Sequence, residues 1–191
     1  GHGSYKIEEF EFLNWVPISQ RLLAKSSGLE IPVQQLGYSA SGRVEGNLEY
    51  CGGGTRDECR PAVGKIAVCS SGWEDSLRFL HRIKKYRNAV EAGAQAFVLI
   101  GEPGHGVPFV IIRKRQTGSI PAVAVGYEDG NRLLQLCREK ESVLLSVENR
   151  TLKDFSQNII WRLGGPSPGI VLCAHYDSWT QGAWEIGRAH V

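Results

Sequence analysis

The sequence contains no methionine, no C-x-x-C pair, and no long run of apolar residues or of charge of one sign. Without methionine it lacks even an initiator, so the chain is expected to be part of a longer product. Without C-x-x-C, neither a zinc ribbon nor a thioredoxin-like redox motif is supported. No apolar stretch approaches the roughly 20 residues that a membrane-spanning helix needs, and no basic-then-apolar leader opens the chain. Lysine and arginine total 22 against 20 acidic residues, a net charge of +2. With no block of like charge, a nucleic-acid groove or a polybasic membrane patch has no footprint. The hydrolase elbow G-x-S-x-G is missing too, and His105 with Ser70 or Ser71 lacks an acid to orient the base. The loop GEPGHG (Gly101 to Gly106) has no following Lys-Ser/Thr and leads into VPFVII, so it reads as a turn and not as a phosphate cradle.

At 191 residues and 42% hydrophobic content, the chain can fill one ordinary core, or one domain and the start of another. YKIEEFEFLNW (Tyr5 to Trp15) favours a strand. Pro17 and Pro32 are expected to divide the region that follows into two or three short strands. GKIAVC (Gly64 to Cys69) is a compact apolar run between turn residues, the pattern of a buried strand. In the next segment Leu77, Leu80, Ile83, Tyr86, Ala89 and Val90 form one helical stripe, closed by Gly93. AQAFVLIG then completes a βαβ unit. SIPAVAVG (Ser119 to Gly126) adds a strand, about Glu128 to Arg138 a helix with an acidic first turn, and SVLLSVEN another strand. SQNIIWRL and IVLCAH, bridged by GGPSPG, look like the start of a second sheet. The fold class is therefore α/β. The strand from Gly169 to His175 lacks the neighbours that would cover it, and this end is expected to fray.

Of the five cysteines, Cys69 and Cys173 sit in apolar runs and read as buried hydrophobes. Cys51 and Cys59 flank the loop CGGGTRDEC and could close it as a disulfide in an oxidising compartment. HRIKKYR (His81 to Arg87) reads as the solvated face of the helix. Asn149-Arg150-Thr151 is a glycosylation sequon with meaning only in a secreted eukaryotic chain. AHYDSW (Ala174 to Trp179) ends an apolar strand, where open α/β sheets place ligands, and residues two apart share a face. His175 and Asp177 would then stand side by side, an imidazole fit to bind zinc and a carboxylate fit to orient it. Read on pattern alone, they serve equally as a hydrogen-bonded surface pair. A catalytic zinc takes three protein ligands, so these two do not complete a site.

From about Leu36 to Glu148 the chain resembles a protease-associated (PA) domain. The resemblance rests on G-x-V-x-G-x-L at Gly42 to Leu48, the GKI strand, a helix ending in AGAQAFVL, and IPAVAVGYEDGNRL from Ile120. SQNII followed by IVLCAHYDSWTQGA resembles the entry to the catalytic domain of di-zinc aminopeptidases and glutamate carboxypeptidases of the M28 type. The N-terminal segment resembles what precedes the PA insertion there. The implied layout is peptidase strands over 1–35, a β-rich PA domain with a βαβ core over 36–150, and the first strands of an incomplete α/β zinc-exopeptidase domain over 151–184. Carried over, His175 is a zinc ligand and Asp177 the carboxylate behind it. The bridging aspartate is expected where Glu185 stands, and the Glu-Glu pair with the general base is absent. Residues 185–191, EIGRAHV, read as a translated sequencing adapter. The resemblance implies a parent that holds two zinc ions, cleaves terminal peptide bonds, takes peptide substrates, can pair as a homodimer and works outside the cytoplasm. The fragment itself is expected to be inactive. Rival readings are a PA-type peptide-binding or sorting module, a transferrin-receptor-like relative without activity, and a PA insertion in a subtilisin-like protease.

Overall fold

Short apolar runs bounded by glycine, proline and serine become the central strands of one mixed sheet. The computed structural model describes residues 3–71, 80–108, 111–112, 116–163, 172 and 174. Along them lie β1 (Ser4–Ala24), β2 (Glu30–Ile31), β3 (Gln34–Gln35), β4 (Gly42–Tyr50), α1 (Arg56–Cys59) and β5 (Ile66–Ser70). Then follow α2 (Arg82–Glu91), β6 (Ala96–Ile100), β7 (Ala122–Val125), α3 (Tyr127–Glu139) and β8 (Ser142–Arg162). The strand order is β2-β1-β8-β4-β5-β6-β7-β3. The fold is mixed α/β.

β4 joins two kinds of pairing. Its first part, Gly42 to Asn47, runs antiparallel to Val147 to Ser142 of β8, and its last three residues run parallel to Ile66–Val68 of β5. β5, β6 and β7 are parallel, and β3 closes the row antiparallel to β7. Parallel strands are covered on both faces, which is why these three read as unbroken apolar runs. Their alternate residues feed two cores. Ile66, Val68, Val98 and Val123 pack with Leu133 and Leu136 of α3, while Ala67, Cys69, Phe97 and Leu99 pack with Tyr86 and Ala89 of α2. Burying Phe97 alone is worth roughly 1.5–3 kcal/mol.

Helix ends follow local chemistry. His81 Nδ1 accepts from the Ile83 N–H at 3.3 Å and caps α2. At the other end the Gly93 N–H donates to Val90 O and the Ala94 N–H to Ala89 O, with Gly93 at φ +83°. That is the paired-bond termination which a left-handed residue permits, as the sequence predicts. α3 ends the same way, with Lys140 N–H to Cys137 O and Glu141 N–H to Leu136 O, but the left-handed position is held by Lys140 at φ +55°.

Two elements differ from expectation. β1 passes through Pro17 without a break, and its pairing with β2 is confined to Leu22 and Leu23, well past the proline; a strand tolerates proline where no ladder N–H is required. β8 is one 21-residue strand that joins SVLLSVEN to SQNIIWR, where a separation was expected.

The chain divides into two units, Leu13–Lys153 and Gly1–Phe12 with Asp154–Val191. Leu13–Lys153 holds both cores. Within it, the fully buried Gln35 donates from Nε2 to Ser19 O and Glu148 O, each at 2.9 Å, tying β1 to β8. Asn149 Nδ2, the atom a glycan would use, donates to Gln35 Oε1 at 3.1 Å. In the other unit Tyr5 stacks on Trp161 with ring centroids 6.3 Å apart, and Phe155, Ile159 and Trp161 are largely exposed.

Candidate functional site

His175 and Asp177, like Cys173 and the strand expected around them, lie outside the described residues, as does the tail from Glu185 to Val191. Among the described residues, the one group of three or more metal-donor side chains is Cys51, Cys59 and Cys69. It contains no histidine or carboxylate.

Three neighbouring elements converge on this group. Cys51 follows β4, and its N–H donates to Val68 O of β5. The chain turns through Gly52 and Gly53 as the Gly54 N–H returns to Cys51 O at 2.8 Å, and the Ser70 N–H donates to Gly52 O at 3.0 Å. Thr55 then starts α1 with a reciprocal cap: the Glu58 N–H donates to Thr55 Oγ1, while Glu58 Oε2 accepts from the Thr55 N–H at 2.8 Å. Glu58 also accepts from the Gly53 N–H. This fixes Cys59 one residue later. Cys69 comes from β5, and the three sulfurs lie within 4.8 Å of one another, on residues with no exposed surface.

Gly54 is required here on two counts. Its φ is +77°, and a Cβ would meet the Lys85 stem at 2.8–2.9 Å and Cys69 Sγ at 3.1 Å. Lys85, expected on the solvated face of α2, is only 2% exposed. Its ammonium donates to Ser70 O, and burial lowers its pKa against the opposing pull of Cys69, Glu58 and Glu102. Asn88, one turn along α2, donates from Nδ2 to Gly54 O at 2.8 Å. Its Oδ1 is the buried side-chain oxygen or nitrogen left without a partner among the described residues.

The three thiols share protons unequally. Hydrogen bonds from Cys51, then Cys69, hold the Cys59 thiol down to about 4. Conversely, the hydrogen bond to Cys59 pushes Cys51 up to about 12, and bonds to Cys51 and Cys59 together with burial push Cys69 well above its ordinary value. A cluster of this kind supports one thiolate steadied by two S–H donors. No disulfide joins Cys51 to Cys59; all described cysteines are free of disulfide bonds. The spacing of Cys51 and Cys59 in the sequence marked their loop but not Cys69, ten residues on, because only β4–β5 pairing brings β5 against that loop.

The serine readings find no support in the geometry. The Ser70 hydroxyl donates to Gly52 O and the Ser71 hydroxyl to Ile100 O, while His105 is exposed on its own loop.

Residues 32–133, just over half of the chain, match the family model of the PA domain. Among solved structures, the chain is similar to an aminopeptidase from Aneurinibacillus sp. strain AM-1, with a TM-score of 0.67 and 21% identity over 82% of this chain and 37% of that one. It is also similar to a zinc aminopeptidase from Bacillus subtilis, with a TM-score of 0.61 and 26% identity over 81% of this chain and 36% of that one. A peptidase M28 precursor from Shewanella amazonensis SB2B aligns at a TM-score of 0.59 and 18% identity, over 82% and 40% of the two chains. The chain thus spans well under half the length of these relatives. No curated protein matches it.

Proposed function

We propose a function from one premise: this chain belongs to the PA domain family. It is part of a zinc-dependent exopeptidase of the M28 type, in which Leu13–Lys153 is inserted into the catalytic domain and shapes the access of peptide termini to the active site. The observation that carries this reading is topological. β1 brings the chain into Leu13–Lys153, β8 takes it out, and the two are neighbours in one sheet. An insertion must leave and rejoin its host at adjacent points, and this arrangement supplies them. The exposed aromatic and aliphatic side chains at Tyr5, Phe155, Ile159 and Trp161 suit strands that a larger domain covers. The similarity to the zinc aminopeptidase of Bacillus subtilis supports the identity of that host.

In this reading His175 supplies a zinc-ligating imidazole and Asp177 the carboxylate that orients it, and the bound metal contributes Lewis acidity to hydrolysis of a terminal peptide bond. In this reading the 191-residue chain, with one zinc-ligating imidazole and one orienting carboxylate, falls short of the three protein ligands that a catalytic zinc takes and is inactive by itself. The resemblance to the M28 type, and that alone, supports action outside the cytoplasm. Resequencing the source DNA across the codon of Trp184 tests the proposal. The expected result is an aspartate codon in the place of Glu185 and a Glu-Glu pair downstream, and a reading frame that closes on EIGRAHV would sink it.

A further inference from the structure

We propose that Cys51, Cys59 and Cys69 form a buried three-sulfur site for one copper(I) ion or a similarly thiophilic monovalent d10 cation. Three sulfurs within 4.8 Å of one another can all reach a single ion, and thiolate donors select soft metals over hard ones. No fourth histidine, cysteine or carboxylate joins the group among the described residues, whereas a structural zinc site is closed by four ligands. A three-coordinate soft ion fits this donor set.

Charge favours a monovalent ion as well. With two thiolates and one thiol around a single positive charge, the site is left one negative charge in excess. Lys85 offsets it: its stem shares the space beside Gly54 with Cys69 Sγ, and its ammonium is bonded to Ser70 O, one residue from Cys69. Lys85 lies within the field of Glu58 and Glu102 as well as of Cys69, so its positive charge is shared between the carboxylates and the sulfur cluster and is held at the cluster's edge by Ser70 O. Binding exchanges thiol protons for the metal, and no electron is transferred.

The test uses the 191-residue chain, reduced and handled without oxygen, in competition with the coloured copper(I)–bicinchoninate complex. The expected result is withdrawal of one copper per chain, with X-ray absorption reporting a shell of three sulfurs. Cys137→Ser should keep the full stoichiometry. Cys51→Ala should lose it while its circular dichroism stays that of the parent chain, and Lys85→Gln should weaken affinity roughly 10- to 100-fold. Should Cys51→Ala fail to fold, the sulfur shell of the unsubstituted chain still decides. No withdrawal of copper, a shell of nitrogen or oxygen, equal binding by a folded Cys51→Ala chain, or a disulfide joining two of the three cysteines in protein isolated from its source would each overturn the proposal.

Discussion

At the scale of single residues, Tyr86 is the tie between α2 and the loop that precedes β7. Its hydroxyl accepts from the Ser119 N–H at 2.7 Å and the Ile120 N–H at 3.0 Å, and donates to Ile120 O, while its ring meets Phe97 edge-on at 5.7 Å. Tyr86→Phe keeps the ring and orphans two N–H groups, so chemical denaturation should show a loss of about 1–3 kcal/mol. The helical stripe in the sequence marked Tyr86 as a core residue but gave no sign of its hydroxyl bonds, which depend on a loop more than thirty residues away. Lys85 was illegible for a related reason. A lysine in HRIKKYR looks solvated by composition, and it is buried because Ser70 O and the cysteine cluster stand opposite it.

At the scale of elements, the two helix ends form a natural experiment. Gly93 and Lys140 hold equivalent left-handed positions after α2 and α3. Gly93→Ala should destabilise by about 1 kcal/mol, whereas Lys140→Gly should raise the melting temperature by relieving about 1 kcal/mol of backbone strain. The cap of α1 gives a pH signature. Burial pushes the Glu58 carboxyl up, but hydrogen bonds from Thr55 and Gly53 and the charge of Lys85 outweigh it and hold the pKa below the usual carboxylate value. A lowered folded pKa contributes stability that is present above the unfolded value, roughly 4.3, and is lost as pH falls through the folded one. The melting-temperature gap between the unsubstituted chain and Glu58→Gln should therefore persist at neutral pH and close in acid. A gap that widened below that range would refute the assignment. Strands β5 to β7 and the helices α2 and α3 were readable because periodicity and turn residues are local signals, whereas the short α1 lay in what read as a glycine-rich loop. The passage of β1 through Pro17 and the length of β8 were not, because they depend on which edge of a strand is paired.

At the scale of the whole molecule, Leu13–Lys153 encloses both hydrophobic cores, and the strand aromatics Tyr5, Phe10, Phe12, Phe155 and Trp161, all exposed, belong to the other unit. Residues 13–153 expressed alone should melt in one cooperative transition and aggregate less than the 191-residue chain. A broad, non-cooperative melt would show that the unit depends on its flanking strands. The PA fold was legible through the order of its motifs, while the reading of His175 and Asp177 as a metal-binding pair rests on the sequence pattern and the family resemblance alone and lies outside the described residues. The decisive measurement is hydrolysis of aminoacyl-p-nitroanilides and of N-terminally blocked peptides by the full-length protein before and after a chelator. The account predicts activity that the chelator removes, that zinc restores, and that His175→Ala abolishes. Hydrolysis indifferent to the chelator, or none from the zinc-loaded protein, would contradict it.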